Sequence, residues 1–283
     1  MRILTFDIEE WFHLLDHDST RDPQGWDRFE VRIHANMERI FGLLERSGCK
    51  ATFFCLGWIA ERYPEVVKEI AERGYEVGSH THTHQLAYEQ TPDEFARDVE
   101  RSVKTIEDLI GAKVRCFRAP GFSVGESNRW VFEVLAKQGI DTDCSVFPAA
   151  RAHGGMPSYP RPVPSIISYQ GIRLREFPIN YARLCGRPLI FSGGGYFRIL
   201  PYTLIRQFSA SSEYVMAYFH PRDFDAGQPM IEGLSKLRRF KSYINLKGAL
   251  LKLEQWLAEF EFTGVREAAD SINWEIAPVV EFE

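Results

Sequence analysis

The chain reads as an α/β protein, a distorted (β/α) barrel of seven strands in a single domain. Short apolar runs of strand character alternate with helical segments, and a helical crossover returns each strand parallel to its predecessor. Seven such strands suggest a closed or nearly closed barrel, with a doubly wound open sheet as the alternative. The length of 283 residues, 45% of them hydrophobic and 13% aromatic, suits one large unit with a sizeable core.

The first strand is expected over residues 2–7, where Ile3, Thr5 and Phe6 are β-compatible, and it ends at Asp7. Residues 9–30 lack a clean period and hold Asp18, Asp22, Pro23 and Gly25, which marks a long loop of functional type. Met37, Ile40, Phe41 and Leu44 recur at helical spacing, with Gly48 at the helix end. Residues 51–56 form an apolar run suited to a buried parallel strand. A helix from Pro64 to Gly74 leads into a third strand at 75–79, which runs directly into His80. Thr91-Pro92-Asp93-Glu94 is a cap with proline at the first helical position, opening a helix to Gly111. Residues 114–117 make a fourth strand ending at Arg118-Ala119-Pro120-Gly121, followed by a helix capped by Ser127 and running through Gln138. Residues 140–146, 172–177 and 214–219 are the remaining strands. Between them lie a proline-rich rim loop at 148–164, a turn at Ser192-Gly193-Gly194-Gly195 and a helix at 201–208. A final helix at 246–260 carries Leu250, Leu253 and Leu257 on one face.

The net charge of −5 argues against a duplex nucleic-acid partner, and no run approaches the ~20 apolar residues of a membrane span. The N-terminus reaches its acidic cluster too soon for a signal peptide's apolar core. Five cysteines without C-x-x-C spacing read as reduced thiols, so a cytoplasmic location is expected.

His80-Thr81-His82-Thr83-His84 is the strongest chemical signal, because His80 and His84 can share one divalent ion if the chain turns between them. A catalytic site of this kind uses three protein ligands and keeps one position open for water. Asp7-Ile8-Glu9-Glu10 supplies the third: Glu9 is assigned to the metal, with Glu10 as its alternative, and Asp7 is the general base. In a parallel barrel the strand ends bring these residues together with Arg118, Asp143 and His220. His82 is expected to be a spectator.

Together these residues resemble the polysaccharide deacetylases of carbohydrate esterase family four. Thr5-Phe6-Asp7-Ile8-Glu9 is similar to that family's T-F-D-D-G, departing at Ile8, and His80 to His84 matches its H-[ST]-x-x-H metal motif. Arg118-Ala119-Pro120-Gly121 looks like the motif whose arginine orients the base, and Asp143-Cys144-Ser145 is similar to an aspartate motif near the fifth strand. His220 in Tyr218-Phe219-His220-Pro221 resembles the histidine that protonates the leaving amine. The resemblance implies a metal-dependent deacetylase, with Zn2+ as the expected ion and an N-acetylated glycan or sugar precursor as substrate, and Asp143 holding His220 protonated. It covers residues 1–225, leaving 226–283 as an extension packed on the same domain. The part from 194 to 283, with Gly195-Tyr196-Phe197-Arg198, also resembles an extension linked to bacterial exopolysaccharide production.

Rival readings are an amidase acting on a small cyclic or linear amide and an inactive carbohydrate-binding relative. Gly121-Phe122-Ser123-Val124-Gly125 fits G-x-S-x-G, with Asp143 and His220 following in triad order, but the pattern leaves the histidine pair unexplained. Cys144 is expected to be a packed thiol. Trp11, Phe12, Trp26, Tyr159 and Tyr196 are candidates for stacking on sugar faces.

Overall fold

The computed structural model describes residues 1–15, 17–150 and 153–282. The seven expected strands are all present: β1 (Arg2–Ile8), β2 (Thr52–Cys55), β3 (Glu76–Ser79), β4 (Cys116–Phe117), β5 (Thr142–Asp143), β7 (Ile172–Glu176) and β10 (Val215–Phe219). Four more occur among the described residues, namely β6 (Ser165–Tyr169), β8 (Ala182–Leu184), β9 (Arg187–Leu189) and β11 (Val279–Phe282). The main sheet has nine strands in the order β10-β1-β2-β3-β4-β5-β7-β6-β11, and β8 and β9 form a separate hairpin. From β10 to β7 every pairing is parallel, so the expected strands form one continuous parallel arc. The count rises to nine because β6 folds back antiparallel on β7 and β11 joins it.

The barrel is distorted at the seam between β7 and β10, where side chains take over from a ladder. Asn180 Oδ1 accepts the Met216 N–H at 2.9 Å, and the Tyr214 hydroxyl donates to the Pro178 carbonyl at 2.7 Å. The Tyr218 N–H also bonds the Ser192 carbonyl, and a Cβ at Gly193 would stand 2.3 Å from the Tyr218 ring. Only glycine permits that approach.

The crossover helices form where the sequence gives them a start and a buried stripe. Helix Pro92–Ile110 has the expected capping box, Thr91 exchanging bonds with Glu94, and buries Phe95, Val99, Val103 and Ile106 against the sheet. Helix Ile33–Ser47 ends with Gly48 in the left-handed region (φ 67°). Helix Trp130–Lys137 starts later than expected, because Asn128 rather than Ser127 organises the preceding turn, accepting from Gly125 N–H and donating to the Ser123 carbonyl. The expected turn at 192–195 leads into helix Gly194–Ile199.

Residues past 225 pack on the same core. Trp256 is fully buried against Phe197 and Phe262, and the Leu4 N–H bonds the Thr263 carbonyl beside β1. None of the helices among the described residues is long and apolar enough to cross a membrane.

Candidate active site

Parallel pairing sets the site. β1 lies between β10 and β2, with Phe6 opposite Phe219 and Asp7 opposite Phe54, so Asp7 and His220 emerge from adjacent strands. Cys55 pairs with Ser79 and Ser79 with Phe117, which carries His80 and Arg118 to the same carboxyl-end rim. A cleft of about 640 Å³ opens there, lined by Asp7, Glu9, His80, His84 and His220 among others.

The histidine run turns tightly because two residues adopt left-handed backbone, Thr81 (φ 67°) and His84 (φ 55°). Such conformations cost about 1–2 kcal/mol each in a non-glycine residue. Asp98 offsets the cost by accepting the His82 and Thr83 N–H groups at 2.7 and 3.1 Å and the Thr83 hydroxyl at 2.5 Å, while Thr81 Oγ1 accepts the His84 N–H. The turn brings the His80 and His84 rings to 5.3 Å. His82 points away to Glu61 at 3.7 Å, in keeping with its expected spectator place.

Glu9, His80 and His84 each offer a ligand atom within 4.8 Å of the others, and all three are buried. His80 Nδ1–H donates to the Arg118 carbonyl at 2.7 Å, which fixes the tautomer and frees Nε2. Glu9 Oε2 stands 2.6 Å from His84 Nε2, yet it is buried without an aligned hydrogen-bond donor. Two imidazole nitrogens and a carboxylate oxygen left in this state fit a divalent cation. Burial pushes Glu9 up, but His84 and His220 outweigh it and hold the carboxyl far below its usual range. Burial lowers His80 to about 4, so its ring is neutral as a ligand must be. Glu10 is occupied elsewhere: its Oε1 accepts the Arg32 and Ile33 N–H groups at 2.7 and 2.9 Å at the start of helix Ile33–Ser47.

Arg118 is fully buried and donates through Nη1 to Asp7 Oδ1 at 2.8 Å and to Thr5 Oγ1 at 2.7 Å. Its guanidinium lies 4.4 Å from the Phe54 ring centroid and 5.5 Å from that of Phe122, which fixes its plane. Arg118 thus occupies one oxygen of Asp7 and leaves Oδ2 facing His220 Nε2 at 3.8 Å.

His220 has a partner other than the expected one. Its Nδ1 lies 3.2 Å from Asp223 Oδ2, which also accepts the His220 N–H at 2.9 Å, and Asp223 Oδ1 meets Arg198 Nε at 3.2 Å. Burial lowers His220, but Glu9 and Asp223 overcome it and raise the imidazole to about 9. Asp143 cannot play that part, because its Oδ1 accepts the Ser145 hydroxyl at 2.6 Å and its strand neighbour is Glu176. Asp143 Oδ2 and Glu176 Oε2 are both buried without a donor, so a proton shared between the two carboxyls satisfies them. Burial raises Asp143 to about 6 and Glu176 well above its usual range. Asp143 instead steadies the Arg118 loop, since the Ser145 hydroxyl it holds accepts the Ala119 N–H at 2.8 Å.

The serine-hydrolase pattern does not assemble, because the Ser123 hydroxyl oxygen accepts the Ala87 N–H inside the fold. Cys144 is a fully buried free thiol, as expected. Of the candidate sugar-stacking rings, Trp11, Phe12, Trp26 and Tyr159 are buried in packing, and Tyr196 alone of the five lies exposed on the cleft. Three residues at the site had no assigned role in the sequence: Asp223, Arg198 and His13. Asp223 follows His220 at the i+3 spacing of a capping box, a signal that could have found it. His13 lines the cleft beside His84; its Nδ1 accepts the Glu10 N–H and its buried Nε2 has no partner.

A distorted parallel barrel with imidazole and carboxylate groups gathered at the carboxyl ends of its strands has the layout of a hydrolase site. Residues 17–142 match the polysaccharide deacetylase family and residues 144–270 match a domain of unknown function, DUF3473. Over residues 17–142 the chain is thus similar to the polysaccharide deacetylase family. Over 108 residues it is 30% identical to a peptidoglycan-N-acetylglucosamine deacetylase of Bacillus cereus, a match spanning 37% of this chain and 39% of that protein. The fold is similar to that of a candidate polysaccharide deacetylase of Mycobacterium smegmatis, with TM-score 0.66 and 20% identity over 100% of this chain and 93% of the other. It is also similar to a CE4-family pseudoenzyme of Bacillus anthracis, with TM-score 0.54 and 14% identity over 100% of this chain and 69% of that one.

Proposed function

We propose that the protein is a metal-dependent deacetylase removing the N-acetyl group from an amino sugar in a bacterial glycan or glycan precursor, of the kind used in exopolysaccharide production. One observation carries this reading: the Glu9, His80 and His84 cluster shares a cleft with a buried Asp7–Arg118 pair and a His220–Asp223 pair. A divalent cation in that cluster, Zn2+ by its ligand chemistry, would polarise the acetyl carbonyl and acidify a bound water. Asp7 Oδ2, left open by Arg118, takes the proton of the attacking water. Protonated His220 gives its Nε2 proton to the departing nitrogen, since an amine leaves poorly as an anion, and Asp223 holds the ring in register from Nδ1. The products are acetate and a free amino sugar. The extension from 226 to 283 acts as part of this domain, and the five free cysteines suit a reducing, cytoplasmic compartment.

The test is metal analysis of the purified protein, followed by acetate release from N-acetylglucosamine oligomers before chelation, after it and after readdition of metal. Loss and recovery of activity are expected, with Asp7→Asn inactive but metal-loaded. Full activity after exhaustive chelation refutes the metal, and turnover confined to small cyclic amides refutes the substrate.

A further inference from the structure

The segment Lys236–Tyr243 forms an eight-residue helix that buries none of its residues. It carries four basic side chains, Lys236, Arg238, Arg239 and Lys241, and no acidic one, in a chain whose net charge is −5. At about 100° per residue, Leu237 and Phe240 fall on one stripe with Lys236 and Lys241 bordering it on either side. Half-buried Arg238, Ser242 and Tyr243 face the body of the protein. Leu237 is 63% exposed and Phe240 52% exposed.

The fold holds the helix firmly in this pose. Arg198, itself buried, donates to the carbonyls of Lys241, Ser242 and Ile244 at 3.0, 3.0 and 2.9 Å. The Tyr243 hydroxyl donates to the Pro229 carbonyl and accepts the Ile231 N–H. Helix Gly194–Ile199 packs so closely that a Cβ at Gly195 would stand 3.2 Å from the Lys241 carbonyl, and it adds exposed Ile199 to the same region. Single exposed apolar side chains need no explanation, but an anchored helix turning Leu and Phe outward between lysines does.

We propose that this helix docks the protein on an anionic lipid surface, with Leu237 and Phe240 entering the acyl boundary and the flanking basic side chains meeting phosphate headgroups. Charge decides between occupants. A second copy would set this basic helix against its own like-charged image. An acidic glycan would meet the charges but has no use for an aliphatic leucine beside them. Arg238, Lys241 and Ser242 also line the cleft, so docking would open the active site at headgroup level. Resting on the deacetylase reading, this makes the substrate a glycan still joined to its lipid carrier.

The experiment floats the full chain with vesicles of phosphatidylcholine alone and of phosphatidylcholine and phosphatidylglycerol in equal parts, at low and high salt. Binding is expected only to the anionic vesicles and should weaken with salt. Leu237→Ser with Phe240→Ser should reduce it at least about tenfold, and Lys236→Gln with Lys241→Gln by about tenfold or more. No binding, equal binding to both vesicles, or binding indifferent to Leu237 and Phe240 overturns the proposal. So does retention of a hyaluronan oligosaccharide in place of vesicles, or a dimer broken by the same substitutions. Leu237 and Phe240 lie outside the cleft lining, so acetate release from a short soluble glycan tests the enzyme reading separately from the vesicle result.

Discussion

Replacing Asp223 by Asn should move the alkaline limb of activity. Asn keeps the shape and can still accept the His220 N–H, so the turn at 220–224 is preserved while the charge beside Nδ1 is removed. The imidazole stands at about 9 because Glu9 and Asp223 outweigh its burial. With a cation bound, Glu9 gives much of its charge to the metal, and Asp223 becomes the principal anion for the ring. A full charge at the 3.2 Å separation is worth about 5 kcal/mol at an effective dielectric of about 20. The His220 side chain is 27% exposed, so solvent reduces this to roughly 1.5–3 kcal/mol, or about 1–2 pH units. The sign follows from the role: the acid works protonated, its raised value preserves it through neutrality, and it is lost as pH rises through that value. In Asp223→Asn the loss should come about 1–2 units earlier, with kcat at pH 8 down about two- to tenfold and largely recovered under mildly acidic conditions. Acetate release at saturating metal and substrate, measured from pH 5 to 10, checks this. A uniformly lower kcat with an unmoved alkaline limb would falsify the pairing as the source of the acid's strength.

Arg118→Met should cost about 3–5 kcal/mol in urea unfolding, because Asp7 would be left buried and unpaired, and Asp7→Asn in the same chain should restore part of the loss. Glu9→Gln should strip the metal, whereas Glu10→Gln should leave metal content intact and cost about 1–2 kcal/mol through the start of helix Ile33–Ser47; metal analysis beside unfolding curves separates the two. Asp143 and Glu176 both have folded-state values raised by burial, so the stability they lend is full below about pH 4 and is lost as pH rises through about 6 and beyond. Glu176→Gln supplies an amide donor to Asp143 and should recover about 3 kcal/mol relative to wild type at pH 8, with little difference at pH 4. An unchanged difference between the two pH values would refute the shared proton.

The parallel arc was legible because each of its strands is a short apolar run between turn signals, and buried parallel strands must be apolar on both faces. β6 and β11 carry no such mark. They extend an open edge, and β11 alternates between exposed and buried positions, so only the neighbouring strand makes it a strand. Helix Lys236–Tyr243 was missed for a related reason: with no core-facing stripe, it lacks the apolar period by which helices are read. The residues at the site were legible as types and as strand-end positions, which sufficed to bring Asp7, Glu9, His80, His84, Arg118 and His220 together. What sequence order does not state is which carboxylate faces which imidazole. Asp143 and Asp223 are both acidic and both near a strand end, and only the turn after β10 decides that Asp223 reaches His220. Arg198, between the run read as a turn at 192–195 and the helix expected at 201–208, becomes visible only once the helix beginning at Gly194 exists.

The proposed catalytic set also crosses the boundaries of the two family matches. The deacetylase match at 17–142 contains His80, His84 and Arg118 but not Asp7 and Glu9, which precede it. His220, Asp223 and Arg198 fall in the DUF3473 match at 144–270. Neither region holds a complete set, and the two are joined by β1. One edge of β1 pairs with β2 and the other with β10, so the strand that presents Asp7 and Glu9 is buried between the two regions. Without β10, β1 would become an edge strand with Leu4 and Phe6 uncovered, and the proposed base would lose its acid. On the proposed reading, the C-terminal region is therefore half of the catalytic barrel. A change there at Asp223 or Arg198 should act on the chemistry as directly as one in the histidine run.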